Sequence, residues 1–384
     1  MEKLLNFVLA DLERFTQIRN ELHAFYPFSI NTIQRFKDKH SELPIQDLIN
    51  QMTLQKRALQ KLPYAEKWFF TDKGLQQASD YLLANYHGML FKDYTTVADI
   101  CCGIGSDLLY LSNGKEKCFA IDKDHKVLSI TQHNMRVFDR KNILYQNIMA
   151  EEFSSECQAV FIDPDRRTVS KKRTAKIEEI SPNISTIIKL INNYHNVAVK
   201  LSPIINYDDI KLSDYSFDFV SVNGDLKECL LKTGDLKAKK QAVIINKFET
   251  KIFSECHHPQ THISPIGNWL FEPDPAIIRS HLVNDLAFEL KMNRIDPNIA
   301  LLTQDDAIEP TVFGNAYQVS GIFDYNLKSL NSYLKSHQIG VVDIKTKGFS
   351  ESVEHFRKKL ILKGNNKVIL FIIRIGEKHI CVIS

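Results

Sequence analysis

Residues 96–107 (TVADICCGIGSD) constrain this chain more than any other stretch. The apolar run Val97, Ala98 and Ile100 ends in Gly103-x-Gly105 and passes into Asp107, Leu108, Leu109, Tyr110 and Leu111, which have helical spacing. Strand, tight glycine turn and helix in that order let a ligand approach the backbone, and the helix start offers free N–H groups. A second apolar run, 117–121, ends in Asp122, 17 residues beyond Gly105. A doubly wound nucleotide fold places its ribose-binding carboxylate at about that distance. A third run, 158–162, leads into Asp163, Pro164, Asp165, Arg166 and Arg167. Ligands of such sheets bind beyond the carboxyl ends of the strands, so this loop is expected beside the glycine turn. A carboxylate there can accept hydrogen bonds from an amino group, and Pro164 stiffens the loop; the same dipeptide also serves as a plain turn.

The rest of the chain supports a sheet around these three strand ends. Apolar runs suited to buried strands fall near 96–100, 117–121, 142–146, 158–162, 196–201, 217–222 and 241–246. Helical patterns lie at 105–113, 125–138 and 181–192. Alternation of this kind predicts an α/β domain with a mostly parallel sheet of seven strands and helices on both faces. The short connection between the last two strands suits an antiparallel pair.

Residues 1–75 read as a helical segment. Leu5, Val8, Leu9, Leu12 and Phe15 have helical spacing, Pro27 and Ser29 mark a break and a fresh N-cap, and further runs cover 30–38 and 45–61. Gln76–Met89 reads as one more helix. Beyond residue 250 the texture changes: His257-His258-Pro259 and Glu272-Pro273-Asp274-Pro275 read as linker and turn, and Ala276–Leu290 as a helix. From 316 the order is strand, helix, strand, helix, strand, strand, with the last two, 367–374 and 379–383, forming a hairpin: a small α+β module. The expected boundaries are therefore 1–75, 76–250, 251–315 and 316–384.

Composition narrows the function classes. With 384 residues, 44% hydrophobic and 25% charged, the chain suits an ordinary globular protein of two or three domains. A net charge of +3 gives no global field for nucleic acid, so any basic footprint is local. Seven scattered cysteines make neither a disulfide framework nor a paired Cys-x-x-Cys zinc site, and a reducing cytoplasm fits them. No run approaches the roughly 20 apolar residues of a membrane span, and the first residues carry acids unlike a signal peptide. His257, His258 and His262 have no cysteine or carboxylate at ligand spacing, so no metal is expected.

On these residues the chain resembles the class I S-adenosylmethionine-dependent methyltransferases, whose domain is Rossmann-like. Residues 97–105 look like their first motif, with Cys101 where a glycine is commonest; Asp122 matches the ribose-binding acid; and Asp163–Arg166 resembles the Asp-Pro-Pro-aromatic loop at the methyl-acceptor site. The likeness covers roughly 76–250. Phe70, Thr71, Gln76–Ser79, Lys200–Pro203, Asn223–Glu228 and the tail are similar to a bacterial group that ends in a ferredoxin-like segment and a THUMP-like domain, a type of module associated with RNA. The resemblance thus implies S-adenosylmethionine as cofactor, RNA (tRNA or rRNA undetermined) as partner, and a cytoplasmic enzyme.

Residue by residue, it assigns cofactor binding to Asp99 (the methionyl end), Cys101, Gly103, Gly105 and Asp122, and to Asn147 or the backbone near Ala150 in place of a missing adenine-facing acid. Asp163 would orient a nucleophilic base nitrogen, with Pro164, Asp165 and Arg166 completing the acceptor loop; Arg166 replaces the aromatic, and a guanidinium plane can stack on a base. Arg167, Lys171, Lys172, Arg173 and Lys176 make a basic loop that is either a solvated face or a phosphate grip. Lys200 would reach the same mouth, or simply close a strand. Val222 stands where pyrimidine-C5 enzymes carry a cysteine, and Cys229 lies seven residues on, so C5 chemistry is disfavoured. Asp225, Lys227 and Glu228 either line the site or are loop charges. Three alternatives stay open: a protein or small-molecule acceptor, a non-catalytic RNA binder that keeps a cofactor pocket, and an NAD-dependent oxidoreductase. The last lacks a third glycine, since residue 108 is leucine.

Overall fold

Buried apolar runs form the central strands of the chain. The computed structural model describes residues 2–165, 179–206, 210, 212–256 and 261–384. They divide into two units: Met1–Phe217 with Glu228–Ala238, and Asp218–Lys227 with Lys239–Ser384.

In the first unit, β1 (Thr96–Ile100), β2 (Lys117–Ile121), β3 (Ile143–Gln146), β4 (Ala159–Ile162) and β5 (Asn196–Leu201) are parallel in the order β3-β2-β1-β4-β5. Asp99 pairs across with Ala120 on β2 and Phe161 on β4. The middle strands β4 and β5 are buried along their whole length, which accounts for their unbroken apolar runs. After β6 (Ser216–Val222), the turn Asn223–Gly224 (φ 51° and 80°) leads into β7 (Asp225–Lys232), whose Cys229–Lys232 run antiparallel to β5. The expected antiparallel pair, 217–222 with 241–246, is in fact parallel: β6 pairs in parallel with β8 (Gln241–Ile245). The reversed strand is β7, which sequence reasoning missed because Asp225, Lys227 and Glu228 break its apolar pattern.

Helices Glu2–Ala10, Leu12–His23, Ile30–Lys39 and Ile45–Ala58 belong to the same unit, and Ser29 caps the third by accepting from Thr32 N. The expected single helix over 76–89 is two: Asp72–Gln77, capped by Thr71, and Tyr81–Leu90, capped by Asp80. Ala78 is extended (φ −51°, ψ 140°), and the chain breaks there because Ser79 and Asp80 spend their polar groups on Ser106, Asp107 and the new helix end.

The second unit holds β8 with the antiparallel β9 (Thr250–Ser254) and two four-stranded sheets. One orders β10 (Trp269–Pro273), β11 (Asn293–Arg294), β12 (Leu302–Gln304) and β13 (Gly314–Gln318) as β11-β12-β10-β13. The other orders β14 (Gly321–Asp324), β15 (Ile339–Lys347), β16 (Asn366–Ile375) and β17 (Lys378–Ile383) as β14-β17-β16-β15. Its period-two pattern feeds two cores: Leu370, Ile372 and Cys381 pack with Leu330, Leu334 and Phe356, while Phe371, Ile373 and Val382 pack with Leu270, Ile295 and Leu301. The β16–β17 hairpin matches the sequence expectation, and the helix expected over 276–290 is split into Pro275–Arg279 and Val283–Glu289 around His281, whose φ is 58°. Among the described residues no helix is long and apolar enough to cross a membrane.

Phe161 is fully buried on β4, with its ring at 6.1 Å from Phe91 and 4.7 Å from His87. Phe161→Ala should lower the unfolding free energy by about 3–5 kcal/mol in urea titrations followed by circular dichroism.

Candidate active site

The site is built from strand ends. Asp99 lies between Ala120 and Phe161, so Asp122 and Asp163, two residues beyond those partners, fall next to it past the ends of β2 and β4. A cleft of about 420 Å³ opens there, lined by Asp99, Cys101, Gly103, Asp122, Asp163 and Asp165 together with Pro164 and Ala150. Gly105, Asn147 and Lys200, also singled out in the sequence, are not among its lining residues, nor are Asp225, Lys227 and Glu228.

The turn after β1 has its own geometry. Cys101 N and Cys102 N both donate to Ile121 O, at 2.9 and 3.0 Å, and Gly105 N donates to Cys102 O at 2.9 Å. Gly103 (φ 55°) faces open space where a Cβ would meet nothing within 4 Å, so the backbone is bare towards the cleft. Gly105 (φ 90°) has a different reason: a Cβ there would lie 2.9 Å from Met135 Cε and 3.1 Å from Thr131 Cγ2. Cys101 holds the left-handed conformation with φ 67°, which costs a non-glycine residue roughly 1–2 kcal/mol.

Asp122 is fixed at both oxygens: Gly103 N donates to Oδ2 at 3.3 Å and Asp124 N to Oδ1 at 2.9 Å. Burial lifts its carboxyl above the usual range, against those two backbone donors. Asn147 Nδ2 donates to the Asp122 carbonyl at 2.9 Å, and of Asn147 and Ala150 only Ala150 lines the cleft. Asp165 is tied by a two-way backbone bridge to Ser181 and by a 3.1 Å ion pair from Lys73. Neither carboxylate oxygen of Asp99 has a hydrogen-bond partner among the described residues, although the side chain is buried. Burial, then repulsion from Asp107 and Asp163, drives its carboxyl well above the ordinary value.

Behind the cleft runs a buried polar chain. Lys200 Nζ donates to Asp163 Oδ2 and to Ser79 Oγ, both at 2.8 Å; Ser79 Oγ donates to Asp107 Oδ2 at 2.7 Å. His87 Nδ1 meets Asp107 Oδ1 at 2.7 Å, and its Nε2 meets Glu228 Oε1 at 2.6 Å. Burial opposes charge on His87, but Glu228 and Asp107 outweigh it and raise the imidazolium to about 9. Burial likewise opposes charge on Lys200, whose ammonium is nonetheless raised by Asp163, Asp107 and Glu228. Against its own burial, Lys200 and His87 hold Asp107 well below the carboxylate range.

Lys200, expected to reach the mouth or to close a strand, is 5% exposed, with its ammonium bound by Asp163 and Ser79. Cys229 is a fully buried strand residue paired with Leu201. Arg166, Arg167, Lys171, Lys172, Arg173 and Lys176 lie outside the described residues, as do His257 and His258. Sequence reasoning named Ser79 and Asp107 only within their motifs and gave them no role, missed His87, and left Glu228 undecided. Their only sequence signal is polar residues standing inside apolar helical and strand patterns.

The THUMP domain-like family matches residues 314–384, and this domain forms the C terminus. Two uncharacterized S-adenosylmethionine-dependent methyltransferases of Mycobacterium tuberculosis, from two strains, are each 24% identical over 340 residues, which is 86% of this chain and 92% of theirs. A crystal structure from Porphyromonas gingivalis, assigned to the methyltransferases, shares the fold with a TM-score of 0.76 at 18% identity, over 97% of this chain and 98% of that one. The solved structure shows that this fold is shared, and both curated relatives are named as S-adenosylmethionine-dependent methyltransferases. This chain carries a THUMP-like domain at its end.

The site generates two stability predictions. The folded His87 value lies above its ordinary 6.5, so its contribution is full below about pH 6.5 and is lost as pH rises through about 9. Wild-type unfolding free energy should fall by on the order of 3 kcal/mol across that window, and His87→Gln should flatten the slope in chemical denaturation at stepped pH. Cys101→Gly relieves the left-handed strain but loosens the unfolded chain, for a net gain of roughly 0.5–1 kcal/mol, read as a raised Tm.

Proposed function

We propose that this S-adenosylmethionine-dependent methyltransferase acts on a nitrogen of an RNA base, with the THUMP-like domain holding the RNA. The observation that supports the cofactor most strongly is Asp99: a buried carboxylate in the cleft, with no partner among the described residues and flanked by further acids, is complementary to an ammonium group. Gly103 adds a cradle that a side chain would fill. The residues therefore fit the cofactor, which when bound supplies a methyl group already activated on sulfur.

Asp99 would hold the methionyl ammonium and gain the counter-charge that its burial lacks. Asp122, fixed by two backbone donors, would accept the ribose hydroxyls. Cys101 and Gly105 shape the turn, and the Ala150 backbone would lie along the adenine. Asp163 would accept an N–H from the incoming nitrogen, and Pro164 and Asp165 keep its loop in place, Asp165 through the Ser181 bridge. Arg166 is proposed to stack on the base, and Arg167, Lys171, Lys172 and Arg173 to meet phosphates. A nitrogen nucleophile needs alignment and exclusion of water more than a strong base, which suits a site rich in positioning groups. A cytoplasmic setting suits the seven free thiols.

Mass spectrometry of nucleosides from RNA of a deletion strain tests the acceptor: one methylated nucleoside should vanish and return on complementation. Radiolabel in protein or small-molecule fractions instead would move the acceptor there, and label in none would leave a binding protein. Asp163→Ala should abolish transfer while cofactor affinity, measured by calorimetry, stays within about three-fold. RNA affinity should fall by more than about ten-fold between roughly 50 and 200 mM salt if the basic loop contacts phosphates.

A further inference from the structure

The carboxylate assigned to the acceptor loop is held from behind by a buried cation. Lys200 Nζ stands 2.8 Å from Asp163 Oδ2, and the two side chains are 6% and 22% exposed. Lysine is an expensive residue to bury, and a strand-end position offers water at little distance. The chain has instead built a cage for it: Ser79 Oγ at 2.8 Å, then Asp107, then His87 clamped between Asp107 and Glu228. Ser79 lies in the break between the helices Asp72–Gln77 and Tyr81–Leu90, and its own N–H donates to Ser106 Oγ at 3.0 Å. The break therefore delivers the hydroxyl that orients the ammonium.

We propose that Lys200 is a positioning residue for methyl transfer, braced by Ser79, Asp107, His87 and Glu228, and that it keeps the Asp163 carboxylate an oriented hydrogen-bond acceptor for the N–H of the acceptor nitrogen rather than the group that takes its proton. The inference rests on the methyl-transfer reading above. Asp163 faces Asp99 from β1 and Cys101 from the turn, while Lys200 also faces Asp107 and Glu228. Take away the ammonium and Asp163 loses the buried cation at 2.8 Å while Asp99 stays close, so its carboxylate binds a proton more readily or turns away. With the ammonium in place it stays ionised, points one way, and is a weak base. During transfer the nitrogen lone pair forms the new N–C bond and sulfur keeps the electrons of the broken C–S bond. The surplus proton then passes from the methylated nitrogen to water.

The test uses the full-length protein as wild type, Lys200→Met, Lys200→Arg and Ser79→Ala. The carboxyl carbon of Asp163 is followed by NMR against pH, single-turnover transfer to RNA is timed across the same range, and S-adenosylhomocysteine binding is measured by calorimetry. The wild-type Asp163 signal is expected to stay flat between about pH 5 and pH 9, and that of Lys200→Met to titrate inside this range. Transfer by Lys200→Met should drop about 100-fold at neutral pH and climb as pH rises, while Lys200→Arg recovers to within about ten-fold of wild type. Binding of S-adenosylhomocysteine should change by less than about three-fold throughout. A Lys200→Met protein with the wild-type pH profile and a flat Asp163 signal would overturn the proposal. If that variant fails to fold, Ser79→Ala carries the test: a loss of about ten-fold in transfer with unchanged ligand binding supports the brace, and a wild-type rate counts against it. Absence of transfer to RNA by the wild type would sink the acceptor reading alone, since the Asp163 titration still decides whether Lys200 governs the carboxylate.

Discussion

Acids crowd beneath one cleft, and two cations make the crowding tolerable. Asp99, Asp107 and Glu228 are buried and Asp163 nearly so, a combination that would unfold most sheets if left uncompensated. Lys200 and His87 stand between them, each held on two sides, so that charge alternates from Glu228 through to Asp163. Asp99 is left out of this pairing. The alternation explains why one carboxylate at the site is driven up in pKa and another driven down although both are buried.

Strand register converts this electrostatic arrangement into a place. Because β2 and β4 flank β1 in parallel, three acids spaced far apart along the chain are delivered to one rim. The glycine turn then does two separate jobs. Gly103 leaves backbone bare toward the cleft, whereas Gly105 makes room for Thr131 and Met135 of the helix His125–Val137. Cys101 holds a left-handed conformation between them, and two donors from residues 101 and 102 to one carbonyl of β2 keep it there.

How much of this could be read from sequence follows from which signals are local. The parallel strands were legible because buried strands leave continuous apolar runs, and Asp122 and Asp163 because strand ends are where ligands gather. The final hairpin was legible for the same reason of period, whereas the single strand expected before the helix Leu327–Ser336 is two, β13 and β14, in different sheets. β7 was not, since its first half is charged and only its second half meets β5. Nor were the breaks at Ala78 and His281, where apolar spacing continues across a backbone that does not stay helical. Lys200 shows the limit most plainly: a lysine ending a strand looks solvated until a carboxylate and a hydroxyl from distant segments are found around it.

The most direct measurement of the account is a crystal structure of the protein with S-adenosylhomocysteine. It should show the ribose hydroxyls on the Asp122 carboxylate, the amino group within hydrogen-bond reach of Asp99, and the sulfur turned toward Asp163. A ligand bound outside this cleft, or inside it with the ribose turned away from Asp122, would contradict the account.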